Sequence, residues 1–106
     1  MIVVTTETIA GKRIVRVLGM VKGNTIRARH IGHDIKAVFR NIVGGEITEY
    51  TKMLSESREQ SIDRMVEEAN AIGANAILAT RFSTSSMMQG AAELLCYGTA
   101  VKIEDE

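Results

Sequence analysis

The apolar positions of residues 46–79 recur with nearly the period of an α-helix, and the rest of the chain reads as arranged around them. Projected at about 100° per residue, Ile47, Tyr50, Leu54, Ile62, Met65, Ala69 and Ile72 share one arc. Glu49, Lys52, Glu56, Glu59, Gln60, Asp63, Glu67 and Asn70 lie opposite. The pattern predicts one long amphipathic helix over 46–72. Gly73 and Asn75 tolerate the left-handed conformation of a helix end, and Ala76, Ile77, Leu78 and Ala79 then open an apolar strand. A shorter helical pattern covers 33–43, with Ile35, Val38, Phe39 and Ile42 at helical spacing and Asp34 near its positive end. Gly44 and Gly45 end it and allow a reversal into the long helix.

Residues 1–6 read as a short β-branched strand, and 7–12 turn through Gly11. Over 13–21, Val15, Val17 and Val21 face one way and Ile14, Leu18 and Met20 the other, so this strand is expected to be covered on both sides. Gly19 marks a bulge or a close backbone approach. Lys22, Gly23 and Asn24 read as a turn, after which 25–29 resume as an exposed strand. Residues 84–90 are a turn-rich connection, and 92–103 return as a strand with Leu95, Tyr97, Thr99, Val101 and Ile103 on one face. The last two strands are expected to pair as a hairpin. The element order predicts a two-layer α+β fold, an antiparallel β-sheet packed on one long and one short helix, with residues 1–106 as a single domain.

Composition narrows the function more than the fold. With 13 basic and 13 acidic residues the chain carries no net charge that would draw it to nucleic acid or an anionic membrane. Neither a membrane-length apolar run nor a secretory leader is present, and the single cysteine excludes an internal disulfide. A cytoplasmic protein is expected. A helix over 46–72 would reach about 40 Å, longer than the ~34 Å diameter of a compact domain of this size. Part of its apolar stripe then lacks cover within one copy, and a homo-oligomer is the expected remedy. Residues 103–106 read as a solvated tail.

Arg58 projects onto the middle of the apolar stripe between Leu54 and Ile62, where a charge needs a partner. It reads as a packed stem whose head reaches a carboxylate or strand carbonyl or escapes at the edge of the stripe, or as an anion clamp at a subunit interface with Ser57 and Ser61 beside it. If the hairpin turns around Met87 and Met88, Arg81 and Glu93 come nearly opposite, as a cross-strand ion pair or with Glu93 as a site carboxylate. Cys96, His30 and His33 are the residues suited to a soft metal ion, and a zinc site would need ligands from a neighbouring subunit to reach four. The basic run of Arg27, Arg29 and His30 has no interleaved aromatic residue, so nucleic-acid binding is not expected. Gly44-Gly45 lacks the lysine and spacing of a phosphate loop. No nucleophile, base and orienting group form a recognisable set, so an enzyme is not expected.

The ordered series KRIVRVLGMVKG (12–23), IVGGEI (42–47), Tyr50-Thr51, Leu54, Arg58, Arg64-Met65, GANAI (73–77), Arg81 and YGTAV (97–101) resembles the YbjQ-like family of small prokaryotic proteins, whose domain is catalogued as heavy-metal-binding. The resemblance implies a fold similar to the dodecin subunit, assembled as a ring, typically a homopentamer, with no established activity. Ser61 stands where the family often has alanine, and Asn75 where it often has aspartate, which removes one carboxylate. The reading is a non-enzymatic homo-oligomer binding a metal ion or small anion near Arg58 and Glu93. A heavy-metal carrier using Cys96 and histidines, or a flavin store by analogy with dodecins, are the alternatives.

Overall fold

The computed structural model describes residues 1–28, 48–88 and 91–106. The elements are β1 (Ile2–Val3), β2 (Lys12–Ala28), α1 (Thr48–Ala71), β3 (Ala76–Met88) and β4 (Ala91–Asp105). The shorter helical pattern of 33–43, the start of the long helix and the hairpin turn lie outside the described residues.

The strands form one sheet in the order β1-β3-β4-β2. β3 and β4 pair antiparallel as expected, and so do β4 and β2. The sheet is mixed, because β1 runs parallel to β3. The parallel contact arises where the N-terminal segment follows the edge of β3: Val4 and Thr6 carbonyls accept the Thr80 and Ala79 amides at 3.0 and 2.9 Å. Among the described residues, that edge of β3 carries no further strand beyond Thr80, and the outer edge of β2 carries none either.

β2 does not turn at 22–24. It runs unbroken through Gly23, which pairs with Cys96. The reason is steric. A Cβ on Gly23 would lie 2.2 Å from the Ser61 carbonyl oxygen and 2.5 Å from the Met65 amide nitrogen, both backbone atoms of α1. The glycine lets the helix lie directly on the strand. Gly19 does mark the bulge expected of it, at φ +124° with a register shift between Val17 and Gly19. The helix ends through Gly73 at φ +87°, with the Ala74 amide returning to the Ala69 carbonyl at 3.0 Å. Asn75 takes no part in a left-handed turn. Its side chain brackets Ile103, donating to the carbonyl at 2.9 Å and accepting the amide at 2.7 Å.

The helix covers one sheet face along the row Ser57, Ser61, Met65, Ala69, all buried. This row steps by four residues, so these side chains share one side of the helix, the side that lies on the sheet. The core beneath it contains Val21, Ile77, Cys96 and Ala100. On the opposite face Ala76, Leu78, Val101 and Ile103 are covered by Val4 and Ile9 from the N-terminal segment. Among the described residues nothing covers the rest of that face: Val17 and Met20 are 65% and 68% exposed, so within one copy the strand expected to be covered on both sides is covered on one. Two sequence expectations fail at the strand ends. Residues 84–88 extend β3 rather than turn, and the acidic tail is tied down, with Lys12 bonded to Asp105, Arg13 to Glu104 and the Glu106 amide to the Gly11 carbonyl. Lys12 holds the exposed Asp105 carboxyl below its ordinary value through that hydrogen bond.

Gly23→Ala drives a methyl group into helix backbone that has no side-chain freedom to yield, so a loss of about 3 kcal/mol is expected. Urea unfolding at fixed protein concentration measures it; an unchanged midpoint would show that the helix does not rest on this strand.

Candidate functional site

The first described turns of α1 stand over the ends of β2 and β4, and a pocket of about 250 Å³ opens between them. Met53, Leu54, Ala92 and Leu94 supply its apolar wall, and Thr25, Arg27, Ser57 and Thr84 its polar groups. Thr25 and Arg27 face the helix because they alternate with Asn24 and Ile26 along β2, and Gly23 has already placed that face against α1.

Polar groups knit the helix to the sheet here. The Arg27 guanidinium donates from Nε to Ser57 Oγ at 3.0 Å and from Nη2 to Gln60 Oε1 at 2.9 Å. Ser57 is 2% exposed. Ser61 Oγ donates to the Ser57 carbonyl at 2.9 Å, with the Leu94 carbonyl at 3.2 Å and Thr25 Oγ1 at 3.4 Å. These hydroxyls can be buried because each reaches a partner. From the helix, Arg64 donates back to the Asn24 carbonyl. Among the described residues the ion pairs are Lys12–Asp105 and Arg13–Glu104, so Arg27 is half-buried against neutral acceptors only. Beyond Arg27 lies an open depression bordered by Glu56, Glu59 and Asp63.

The residues singled out by sequence do not all meet here. Ser57 and Ser61 do, as buried members of the network. Arg58 does not: it is exposed and donates to Ser55 Oγ at 3.1 Å, because the buried row runs one residue to its side through Ser57 and Ser61. Arg81 and Glu93 are not opposite each other. The register sets Tyr97 against Arg81 and Ser85 against Glu93, since β3 continues to Met88 and carries a bulge between Leu78 and Arg81. Arg81 instead donates to the Thr5 and Thr80 carbonyls at 2.8 and 2.9 Å, and Glu93 accepts from Asn24 Nδ2 at 3.2 Å on the sheet face away from the helix. Arg27, weighed in the sequence only as part of a basic run, is the cation that reaches the pocket. The signal for it was its position on the face of β2 shared with Val21 and Gly23, legible only once the turn at 22–24 is discarded.

The soft-metal candidates also separate. His30 and His33 lie outside the described residues. Cys96 is wholly buried, its Sγ 3.7 Å from Met65 Sδ, and burial raises the thiol above its ordinary value. Among the described residues no three His, Cys, Asp or Glu side chains converge. One thiol and one thioether do not complete the four-coordinate arrangement that a structural zinc takes. No described helix is long and apolar enough to cross a membrane.

The whole fold has a solved counterpart. The crystal structure of a protein of unknown function from Pediococcus pentosaceus, of the DUF74 family, superposes with a TM-score of 0.67 over 98% of both chains at 15% identity, a likeness of fold. In sequence the chain is 59% identical over 106 residues to a UPF0145 protein of Clostridioides difficile, covering 100% of this chain and 95% of that one. It is 59% identical over 103 residues to a UPF0145 protein of Methanosarcina acetivorans, covering 97% of each. A UPF0145 protein of Thermus thermophilus is 53% identical over 103 residues, covering 97% of this chain and 90% of its own. Residues 1–104 match the YbjQ family, described as "Putative heavy-metal-binding". With that match spanning nearly every residue, and full-length relatives sharing more than half of them, the chain belongs to the YbjQ family of UPF0145 proteins.

Proposed function

We propose that this protein is a non-enzymatic homo-oligomer whose subunits join through the uncovered sheet and each hold a small ligand in the pocket between α1 and the ends of β2 and β4. The observation that carries the assembly is the open apolar face. Ile14, Val17, Met20 and Ile26 stand exposed on a sheet whose other face is filled by the helix, and beside Ile14 and Val17 a hollow of about 260 Å³ runs between Leu78, Ala79, Thr99 and Val101. Apolar surface of this kind is stabilised by leaving water. Among the described residues the outer edge of β2, and that of β3 beyond Thr80, carry no strand; they are different surfaces of one sheet, and a contact joining unlike surfaces closes into a ring when its rotation permits. Five copies is the ring size taken from the family resemblance. A cytoplasmic setting fits the single buried cysteine. The absence of catalysis is supported by the hydroxyls nearest the pocket: Ser57 and Ser61 are bonded to Arg27, Thr25 and backbone carbonyls rather than to a base.

Sedimentation at micromolar concentration is expected to show an oligomer, and Val17→Lys with Met20→Lys to convert it to monomer while the folded circular dichroism persists. A native chain that sediments as a monomer removes the proposal.

The family's description favours a second reading, a metal carrier that completes its ligands between copies. Its weak point is Cys96. Because burial raises the thiol's folded value, the neutral form is favoured, and the stability this brings is complete below the ordinary thiol value and fades as pH rises through the folded one. At pH 8 a thiol reagent is expected to modify Cys96 in the folded protein roughly two orders of magnitude more slowly than in urea, as an opening free energy of a few kcal/mol requires. Rapid labelling of the native protein, with stoichiometric zinc or copper bound and lost in Cys96→Ser, would establish the metal reading instead.

A further inference from the structure

The pocket beside Arg27 has the chemistry of a particular ligand class, an inference that rests on the reading of that pocket as a ligand site. Its volume of about 250 Å³ corresponds to roughly eight waters at ~30 Å³ each. That is small for a nucleotide or flavin and fits a compact molecule. The wall formed by Met53, Leu54, Ala92 and Leu94 gives water little to bond to. Arg27 is the cation bordering it, and its geometry is set in advance: Nε is bonded to Ser57 Oγ and Nη2 to Gln60 Oε1. A guanidinium has five N–H groups, of which these bonds use two. No carboxylate of the described residues forms an ion pair with it.

The acidic side chains nearby leave this cation in place. Glu93 borders the pocket, but its carboxylate accepts from Asn24, which alternates with the helix-facing Gly23 and Thr25 and so lies on the far side of the sheet. Glu56, Glu59 and Asp63 border the open depression on the other side of Arg27, where they are exposed and screened by solvent. A planar, pre-oriented fork at the rim of an apolar hollow is suited to a planar two-oxygen anion attached to an apolar body.

We propose that the pocket takes a small monocarboxylate of about eight non-hydrogen atoms, its carboxylate on the Arg27 guanidinium and its tail against Met53, Leu54 and Leu94. Ser57 and Gln60 are positioning residues: they hold the fork in the plane in which both carboxylate oxygens are met together. The acid enters as an anion and leaves unchanged.

The test is saturation-transfer NMR on the full-length protein with three probes, hexanoate, hexanol and inorganic phosphate. Hexanoate is expected to bind saturably and at least about tenfold more tightly than hexanol, the range for a hydrogen bond to a charged group. Arg27→Met is expected to abolish that preference, Arg27→Lys to recover only part of it because the fork is lost, and Arg58→Ala to leave it intact. Leu54→Trp keeps Arg27 and fills the apolar end at a half-exposed position, so it is expected to weaken hexanoate without lowering the melting temperature. Equal binding of hexanoate and hexanol, or a preference that survives Arg27→Met, overturns the carboxylate assignment while the pocket stands as a ligand site. Displacement of hexanoate by equimolar phosphate overturns the role of the tail. No binding of any probe overturns the pocket itself.

Discussion

The helix can touch the sheet only because one strand residue has no side chain. At Gly23 the backbones of β2 and α1 approach to a separation that leaves no room for a methyl group. The helix atoms that it meets are the Ser61 carbonyl oxygen and the Met65 amide nitrogen. Fixing that point fixes the rest. It selects the row of helix residues that is buried and places the first described turns of α1 above the ends of β2 and β4. The pocket is the space left where the two diverge from this contact.

Close approach creates a second demand. Two serines and a threonine are carried into the interface, and buried hydroxyls are costly unless bonded. The structure meets this by letting them bond one another, the carbonyls of Ser57 and Leu94, and the guanidinium of Arg27. An alanine at position 61 would keep the approach without the bonds. With serine, the helix is tied to the sheet by directed contacts as well as by packing, and a cation is held at the pocket's rim in one orientation. The contacts that tie helix to sheet and the proposed ligand site therefore share the same side chains.

The sheet is used unequally. Among the described residues, one face is covered by the helix, and the other is covered at the end where Val4 and Ile9 pack against the cluster of Leu78 and Ile103. The molecule measures 55 × 26 × 16 Å, longer and thinner than the ~34 Å of a compact domain. That shape follows from β2 and β4 outlasting the elements available to cover them. Among the described residues this leaves part of one sheet face uncovered, and the proposed self-association rests on that surface.

Much of the fold was legible in the sequence because its signals are local. The helical period, the Gly73 stop, the Gly19 bulge and the pairing of the last two strands depend on residues close to one another along the chain. What was misread depended on contacts between distant segments. Gly23 has the look of a turn residue until helix backbone is seen against it, and 84–88 have the composition of a loop until β4 pairs with them. Arg58 lies in the arc that hydrophobicity alone would bury, whereas Ser57 and Ser61 take the buried row because small volume, rather than apolar character, is what the approach at Gly23 requires. The sequence by itself determined the long helix and the pairing of the last two strands. Which face of each is buried, and hence that Arg27 rather than Arg58 reaches the pocket, was decided by tertiary packing, since steric fit between backbones 40 residues apart has no signature in periodicity.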